Sequence, residues 1–412
     1  ALTGLPLIFH HELEHLLGEA PELRELPADS PRLDLQQLVA AAEQARPHEV
    51  VQYLGWEADE PNGVVAIMAA SAGTQPNASH TFMLDARSGE AVAMPAANGG
   101  FMLLMLRLHV DLFAGLAGKL LLAFMGLLFV VAIISGAVLY APFMRRLPFA
   151  EVRRHKSPRT RWLDLHNLIG IVTLSWALVV GATGVISACA DLLIEAWRND
   201  TLAALVAPYR DAPPLTQRAP ASDLLQIARQ AAPGMQVDFI AFPGTRFSSA
   251  HHYAVFMVGN SHLTAHLWTP VLIDAQTLAV TAVGTRPWYM DALAMSQPLH
   301  FGDYGGRPMQ ILWALLDVLT IVVLGSVATP THAAGEPPGR AADMKRLRAA
   351  TFALPGAIAL LTSTGLFAAL LGDGAWDALA WLGLGLIALL GGWPLLPRWR
   401  RNKRGRAAGD EE

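Results

Sequence analysis

Apolar positions along the chain fall into two patterns, long unbroken runs and short periodic ones. Five runs are long, reaching approximately from Leu112 to Tyr140, Leu165 to Ala190, Met309 to Ala328, Thr351 to Leu371 and Trp376 to Leu396. A bilayer core about 30 Å thick takes roughly 20 apolar residues in a helix, so each run predicts a membrane span. Gly126, Ser135, Gly136, Thr183 and Gly184 interrupt them with side chains small enough for membrane helices to approach closely. The opening residues 1–9, Ala-Leu-Thr-Gly-Leu-Pro-Leu-Ile-Phe, are apolar but too few to cross. They are expected to be the remnant of a first transmembrane helix.

Two long segments, 10–108 and 191–299, carry the short patterns, and they resemble each other. Leu33 to Ala42 reads as an amphipathic helix and is followed by strand-like Val50 to Leu54. Ser222 to Ala231 repeats that helix, and Met235 to Ile240 repeats the strand. Further on, Thr81 to Val92 reads as strand, turn and strand with Gly89 in the turn, matched by Pro270 to Val280. Each copy then runs into a long apolar stretch through a Leu-His pair, Leu108-His109 and Leu299-His300, with Gly115 and Gly118 or Gly302, Gly305 and Gly306 close behind. This predicts a duplicated small α+β domain, each copy feeding a membrane helix headed by a histidine.

Composition supports the membrane reading. Hydrophobic residues make up 53% of the chain and charged residues 16%, against about 25% charged in a typical soluble domain. Charge also orients the spans. Of the 30 Lys and Arg, 17 fall in residues 141–165, 329–350 and 397–412, which follow alternate spans as a membrane zigzag requires. Lysine and arginine collect on the cytoplasmic side, so these segments are expected inside and the duplicated segments outside. Net charge is only −4, and no basic block is interleaved with aromatics, so nucleic acid is not an expected partner. The one cysteine, Cys189, excludes an intrachain disulfide and a cysteine-ligated cluster and reads as a small packing residue. Rossmann, P-loop, nucleophile-elbow and zinc-helix signatures are absent from the sequence.

The histidines carry the candidate chemistry. Ionisable residues at membrane helix ends are functional hypotheses. His109 and His300 occupy equivalent places in the two copies and are expected at similar depth near the outer face. Neutral imidazoles on facing helices hold a b-type haem, one on each side of the ring. His166, in Leu165-His166-Asn167-Leu168-Ile169-Gly170, is expected near the inner face, where neither His155 nor His332 is an obvious partner. Arg107 and Lys119 flank His109 and either pair with haem propionates or snorkel to the interface. Asp317, inside an apolar run, either bonds Thr173 or Ser175 or relays protons. His10, His11 and His15 read as a solvated face; His262 and His266 read as surface residues with weak metal or substrate potential.

Together, the duplicated outer segment and the entries Leu-His-Val-Asp-Leu-Phe-Ala-Gly-Leu-Ala-Gly at 108–118, Leu-His-Asn-Leu-Ile-Gly at 165–170 and Leu-His-Phe-Gly-Asp-Tyr-Gly-Gly at 299–306 resemble the PepSY-associated transmembrane proteins. These are bacterial inner-membrane proteins often linked with iron and siderophore uptake, and some look like di-haem ferrisiderophore reductases. The resemblance implies a membrane α-helical bundle with two periplasmic α+β PepSY-like domains and six transmembrane helices, the first truncated. Its expected parts are the helix remnant at 1–9, outer domains at 10–108 and 191–299, membrane helices at 109–141, 165–190, 300–329 and two within 351–396, cytoplasmic loops at 142–164 and 330–350, and a basic tail at 397–412. It further implies His109 and His300 for an outer haem b and His166 for an inner one. Expected partners are membrane lipid, a ferric siderophore or other ferric chelate, and a separate electron donor. Trp268, Trp288, Tyr289 and Tyr304 are candidate docking contacts, with a membrane-interface belt as the other reading of Trp288 and Tyr289. Two other classes stay open: a non-enzymatic binding or regulatory module, and a transporter.

Overall fold

A computed structural model describes residues 1–327 other than 25, 28–29, 57–59, 75–77, 95–98, 145–150, 154, 214, 216, 262–263 and 303, then 357–358, 360–362, 364–365, 368 and 374–392. Two short helices open the chain, α1 (Gly4–Leu7) and α2 (His10–Leu17). The first duplicated segment then folds as helix α3 (Leu35–Ala45) and strands β1 (Val50–Trp56), β2 (Gly63–Ala69), β3 (His80–Asp85) and β4 (Ala91–Ala93). Asp34 starts α3 with a reciprocal cap: its carboxylate accepts from the Gln37 amide, and the Gln37 side chain accepts from the Asp34 amide. The apolar stripe Leu35, Leu38, Val39 and Ala42 faces inward.

After α4 (Phe101–Val110), α5 (Gly115–Met144), α6 (Pro158–Ala188), α7 (Ala190–Trp197) and the short α8 (Ala203–Val206), the second segment repeats this design. It comprises α9 (Leu224–Ala231), β5 (Met235–Ala241), β6 (His252–Gly259), β7 (Thr269–Asp274) and β8 (Val280–Val283). The copies agree in detail. In both hairpin turns an aspartate, Asp85 or Asp274, accepts two successive backbone amides, those of Arg87 and Ser88 or of Gln276 and Thr277. The left-handed position of that turn is Gly89 in one copy and Leu278 in the other.

The two copies are not separate domains, as the sequence suggested, but halves of one eight-stranded sheet ordered β4-β3-β2-β1-β5-β6-β7-β8. Leu54 of β1 pairs with Ile240 of β5, and Tyr53 and Gly55 pair with Ala241 and Phe239. Leu54 and Ile240 hold the same position in their copies, so a pseudo-two-fold axis passes between them. An equivalent register break marks the first strand of each copy, at Val51/Tyr53 and at Val237/Phe239, and the second copy has a further one at Leu272/Ile273. Helices α3 and α9 cover one face over a shared core that includes Leu35, Leu54, Leu224 and Ile240. The other face of the second half packs Phe256 and Leu272 against Trp197, Met290 and Leu293 of the bundle side.

The remaining elements are α10 (Trp288–Phe301), α11 (Gly306–Val327) and α12 (Ala375–Gly392). Among the described residues, three helices are long and apolar enough to cross a membrane, within Gly115–Tyr140, Pro158–Ala188 and Gly306–Gly325. Residues 330–350 and the tail at 397–412 lie outside the described residues, as does most of the span expected from Thr351 to Leu371. Close approach of α5 and α6 depends on glycine: a Cβ on Gly126 would lie 2.9 Å from Val185, and one on Gly181 would lie 3.0 Å from Phe129. Trp176, Trp313, Leu316, Ala380 and Leu384 fill the bundle core.

Two boundaries differ from expectation. His109 and His300 do not head the long helices but end the short ones, α4 and α10. The chain breaks just after each, at Leu112 and Phe113 with φ of 52° and 60° and at Gly302 with φ of 71°.

At the end of the bundle away from the sheet, Arg153 folds back onto α6. Its guanidinium meets both oxygens of Asp164, at 3.0 and 2.8 Å, and its backbone amide adds a third bond at 2.9 Å. The Asp164 side chain is only 2% exposed. Arg153→Met strands that carboxylate and is expected to cost about 3–5 kcal/mol, whereas Arg153→Met with Asp164→Leu recovers most of the loss. Thermal unfolding of the two variants in detergent checks this; equal destabilisation would show that the pair does not act as a unit.

Candidate cofactor site

The ends of α4 and α10 bring His109 and His300 together. Their ring centres are 6.0 Å apart with the planes tilted by 38°. Two imidazoles on opposite sides of one metal ion, bonded at about 2.0–2.1 Å, place their ring centres roughly 6 Å apart. Each Nδ1 is already occupied: His300 donates to the Val180 carbonyl at 2.9 Å, and His109 shares a hydrogen bond with the Thr3 hydroxyl at 3.1 Å. A nitrogen facing a carbonyl must carry the proton, so the lone pair of neutral His300 sits on Nε2, as in metal-binding histidines oriented through Nδ1. Both residues precede the long membrane helices. Burial holds both imidazoles below the ordinary histidine value. Both are therefore neutral at pH 7 and able to act as ligands.

Each imidazole lies against a glycine. A Cβ on Gly184 would come within 2.8 Å of His300 Cε1, and one on Gly4 within 3.1 Å of His109 Cε1. Both glycines follow a threonine, Thr183 within α6 and Thr3 just before α1, in the segment that precedes that histidine's own copy of the repeat. Sequence reasoning missed this pairing, although the repeated Thr-Gly is a visible signal; within its apolar run Gly184 reads as a helix-packing residue. The His300 backbone is also fixed, because its carbonyl accepts from Trp313 Nε1 at 3.2 Å and the Trp313 ring lies against Gly302. On the other side, the Asp111 carboxylate accepts from the Phe113 amide at 2.9 Å, bracing the turn after His109. The two flanking cations already have carboxylate partners, Lys119 with Asp191 at 2.7 Å and Arg107 with Asp111 at 3.5 Å.

His166 lies in the third turn of α6, not at its start. Its Nδ1 is 3.3 Å from the Val323 carbonyl of α11. It lines a cleft of about 550 Å³ between α5, α6 and α11, where Gly136, Ala137, Gly170 and Ala177 leave room against the backbone. His166 is the one histidine among the cleft's described lining residues; His332 lies outside the described residues. His166 and Gly184 are 18 residues apart on α6, about 27 Å at 1.5 Å per residue. Asp317 is 7% exposed. The Thr173 hydroxyl expected to meet it bonds the Ile169 carbonyl instead.

An aromatic pocket lies between the second half of the sheet and the bundle. Phe239, Phe256, Trp197 and Trp268 line it, with Arg286 and His266 as its basic groups. Gln297 also lines it, one turn of α10 before His300. Burial raises the Asp238 carboxyl above its usual value although Trp268 hydrogen-bonds to it. Of the expected docking aromatics, Trp268 is in this pocket and Trp288 is 80% exposed beside Tyr289. Tyr304 is not a surface contact: it is buried against Trp313 in the bundle. His262 lies outside the described residues.

Comparison with known proteins gives two findings. A family model described as the PepSY-associated TM region matches residues 1–327. An uncharacterized protein of Pseudomonas aeruginosa is 28% identical over 217 residues, which cover 49% of this chain and 54% of that protein. The chain therefore spans about half the length of the curated relative it matches.

Glycine substitutions test the packing of the site. Gly184→Ala must displace His300 and is expected to lower stability by about 1–3 kcal/mol. Gly170→Ala, on the same helix with nothing within 4 Å of the added carbon, is expected to be neutral or stabilising by about 0.5–1 kcal/mol. Opposite shifts in the thermal midpoint of the detergent-solubilised protein check the contrast.

Proposed function

The chain belongs to the family of PepSY-associated transmembrane regions, and from that premise we propose that it is a haem-dependent electron-transfer protein reducing a ferric siderophore or similar ferric chelate during iron uptake. The observation that carries the proposal is the buried imidazole pair, 6.0 Å between ring centres and each Nδ1 engaged elsewhere. Those residues fit a haem b bound through His109 and His300. Bound there, a haem would supply reversible one-electron iron chemistry, with His109 and His300 holding it and their burial tuning its potential.

The protein's own residues set that site up. Val180 and Thr3 orient the imidazoles, Gly184 and Gly4 leave them room, and Trp313 with Gly302 anchors the turn behind His300. At the other end of α6, His166 and the surrounding small residues form a second cleft suited to a flat ring. A second imidazole for that ring would come from outside the cleft's described lining. The separation of about 27 Å along α6 is close to the thickness of a bilayer core. In this reading the protein sits in the bacterial inner membrane with its basic segments in the cytoplasm. A separate donor delivers electrons on that side, and the sheet faces the periplasm.

Reduction is a sufficient chemical task. Siderophores hold Fe(III) through hard oxygen donors, which bind Fe(II) far more weakly, so one electron frees the metal. The pocket lined by Trp268, Arg286 and Gln297 is the proposed place of acceptor contact, because α10 carries the backbone from it to His300 within one turn.

Haem content and a dithionite-reduced minus oxidised spectrum of the purified protein test the proposal. A bis-histidine b-type spectrum is expected. His109→Ala and His300→Ala should each abolish the same haem component, and His166→Ala a different one. A folded protein without haem would overturn the electron-transfer reading in favour of a binding or regulatory module.

A further inference from the structure

Helix α2 carries His-His-Glu-Leu-Glu-His at residues 10–15, and the structure gives part of this run a partner. His11 and His15 are four residues apart and share a helix face. Their rings meet edge to face with centres 4.7 Å apart. Glu60, at the entry to β2, reaches the same point, with its carboxylate 3.9 Å from His15 Nε2. One donor atom from each of the three lies within 4.8 Å of the others. The first histidine is not part of the group, because His10 Nδ1 is turned to the Leu7 carbonyl at 3.2 Å.

Contacts away from the cluster hold its two sides in place. Glu19, just past α2, accepts from the Phe101 and Met102 amides at the start of α4, at 2.7 and 3.0 Å. Arg307 pairs with Glu12 at 3.6 Å. On the strand side, the Glu60 carbonyl accepts from Gly63, the first residue of β2, at 2.8 Å. The ion pair between His15 and Glu60 accounts for two of the three groups but not for His11, whose ring converges on the same point.

We infer that His11, His15 and Glu60 form a binding site for a divalent first-row transition-metal ion. Two imidazoles four apart on a helix and one carboxylate from another element are a recurrent three-ligand set for zinc and for non-haem Fe(II). The His15 side chain is 48% exposed, so the remaining coordination positions are open to water or to a metal's own ligand. The site uses none of the residues of the imidazole pair and stands whether or not that pair binds haem. It lies at the sheet end of the bundle. His11 is seven positions on from Gly4, which packs on His109, and this limits their distance to about 25 Å.

Cobalt(II) is the probe, because its visible absorption reports coordination by protein ligands. The untagged full chain in detergent, freed of metal with a chelator, is titrated with Co(II) and then with Zn(II). One equivalent of Co(II) is expected to bind and to be displaced by Zn(II). His11→Ala, His15→Ala and Glu60→Gln should each weaken it at least about tenfold, while His48→Ala at an exposed position elsewhere leaves it unchanged. His109→Ala should retain Co(II) binding, and His15→Ala should retain the haem content of the parent. Absence of Co(II) absorption in the folded protein overturns the site. So does binding insensitive to the three cluster variants, or binding lost on His109→Ala but kept by the cluster variants.

Discussion

The fold depends on a backbone constraint shared by two strands. β1 and β5 each begin a four-stranded meander, and each would leave a row of amide and carbonyl groups unpaired if its copy stood alone. Pairing them satisfies both rows at once. It also fixes the relation between the copies, because Leu54 can face Ile240 in this register only if one copy is turned about an axis through the pair. The outer edges are left to β4 and β8, strands of three and four residues, which offer little template for further pairing. Equivalent features of the two copies then return toward the bundle on related paths. Two such paths end in His109 and His300, so the duplication supplies two imidazoles to one place.

Convergence alone would not make a site; the imidazoles must also be held. On the His300 side the hold is nearly complete, with a carbonyl at Nδ1, a glycine beside the ring, and Trp313 bonded to the backbone behind it. The His109 side meets the same needs differently. Its turn uses Leu112 and Phe113 in the left-handed region, a conformation costly for side chains with a Cβ, and Asp111 braces it. The second copy places glycines after its histidine and avoids that cost. The copies therefore share the position of the histidine and differ in how the backbone is turned beyond it.

Much of this was legible in the sequence because it is local. The helices at 35–45 and 224–231 and the strands beginning at 50 and 235 follow from apolar periodicity and an acidic start. The duplication, and the equivalence of His109 and His300, followed from comparing the two segments. The joined sheet was not legible, since alternation along β1 gives its faces and not its neighbour. Nor was the true end of α4, because nothing in Leu112 or Phe113 signals positive φ as a glycine does. Gly4 and Gly184 were hidden for another reason: a glycine in an apolar run reads as helix packing until its neighbour is known to be a histidine ring. Glu60 was separated from His11 and His15 by the whole of α3 and β1, a distance over which spacing carries no information.

Helix α6 turns these local arrangements into a single device. It carries Gly184 and the Val180 carbonyl at one end, both serving His300, and His166 with Gly170 at the other, both lining the inner cleft. It is also the helix that α5, α10, α11 and α12 all pack against. An α-helix with its hydrogen bonds intact is stiff along its axis, so the separation of the two ends is set by residue number alone. Their relative direction is set the same way, each residue turning the next by a fixed angle, 3.6 to the turn. Ser157 caps its start, Pro158 takes the first-turn position that needs no amide, and the Arg153–Asp164 pair clamps the loop back onto its first turns. Those features lie where fraying would otherwise begin. Their effect is to keep the His166 end in register with the His300 end.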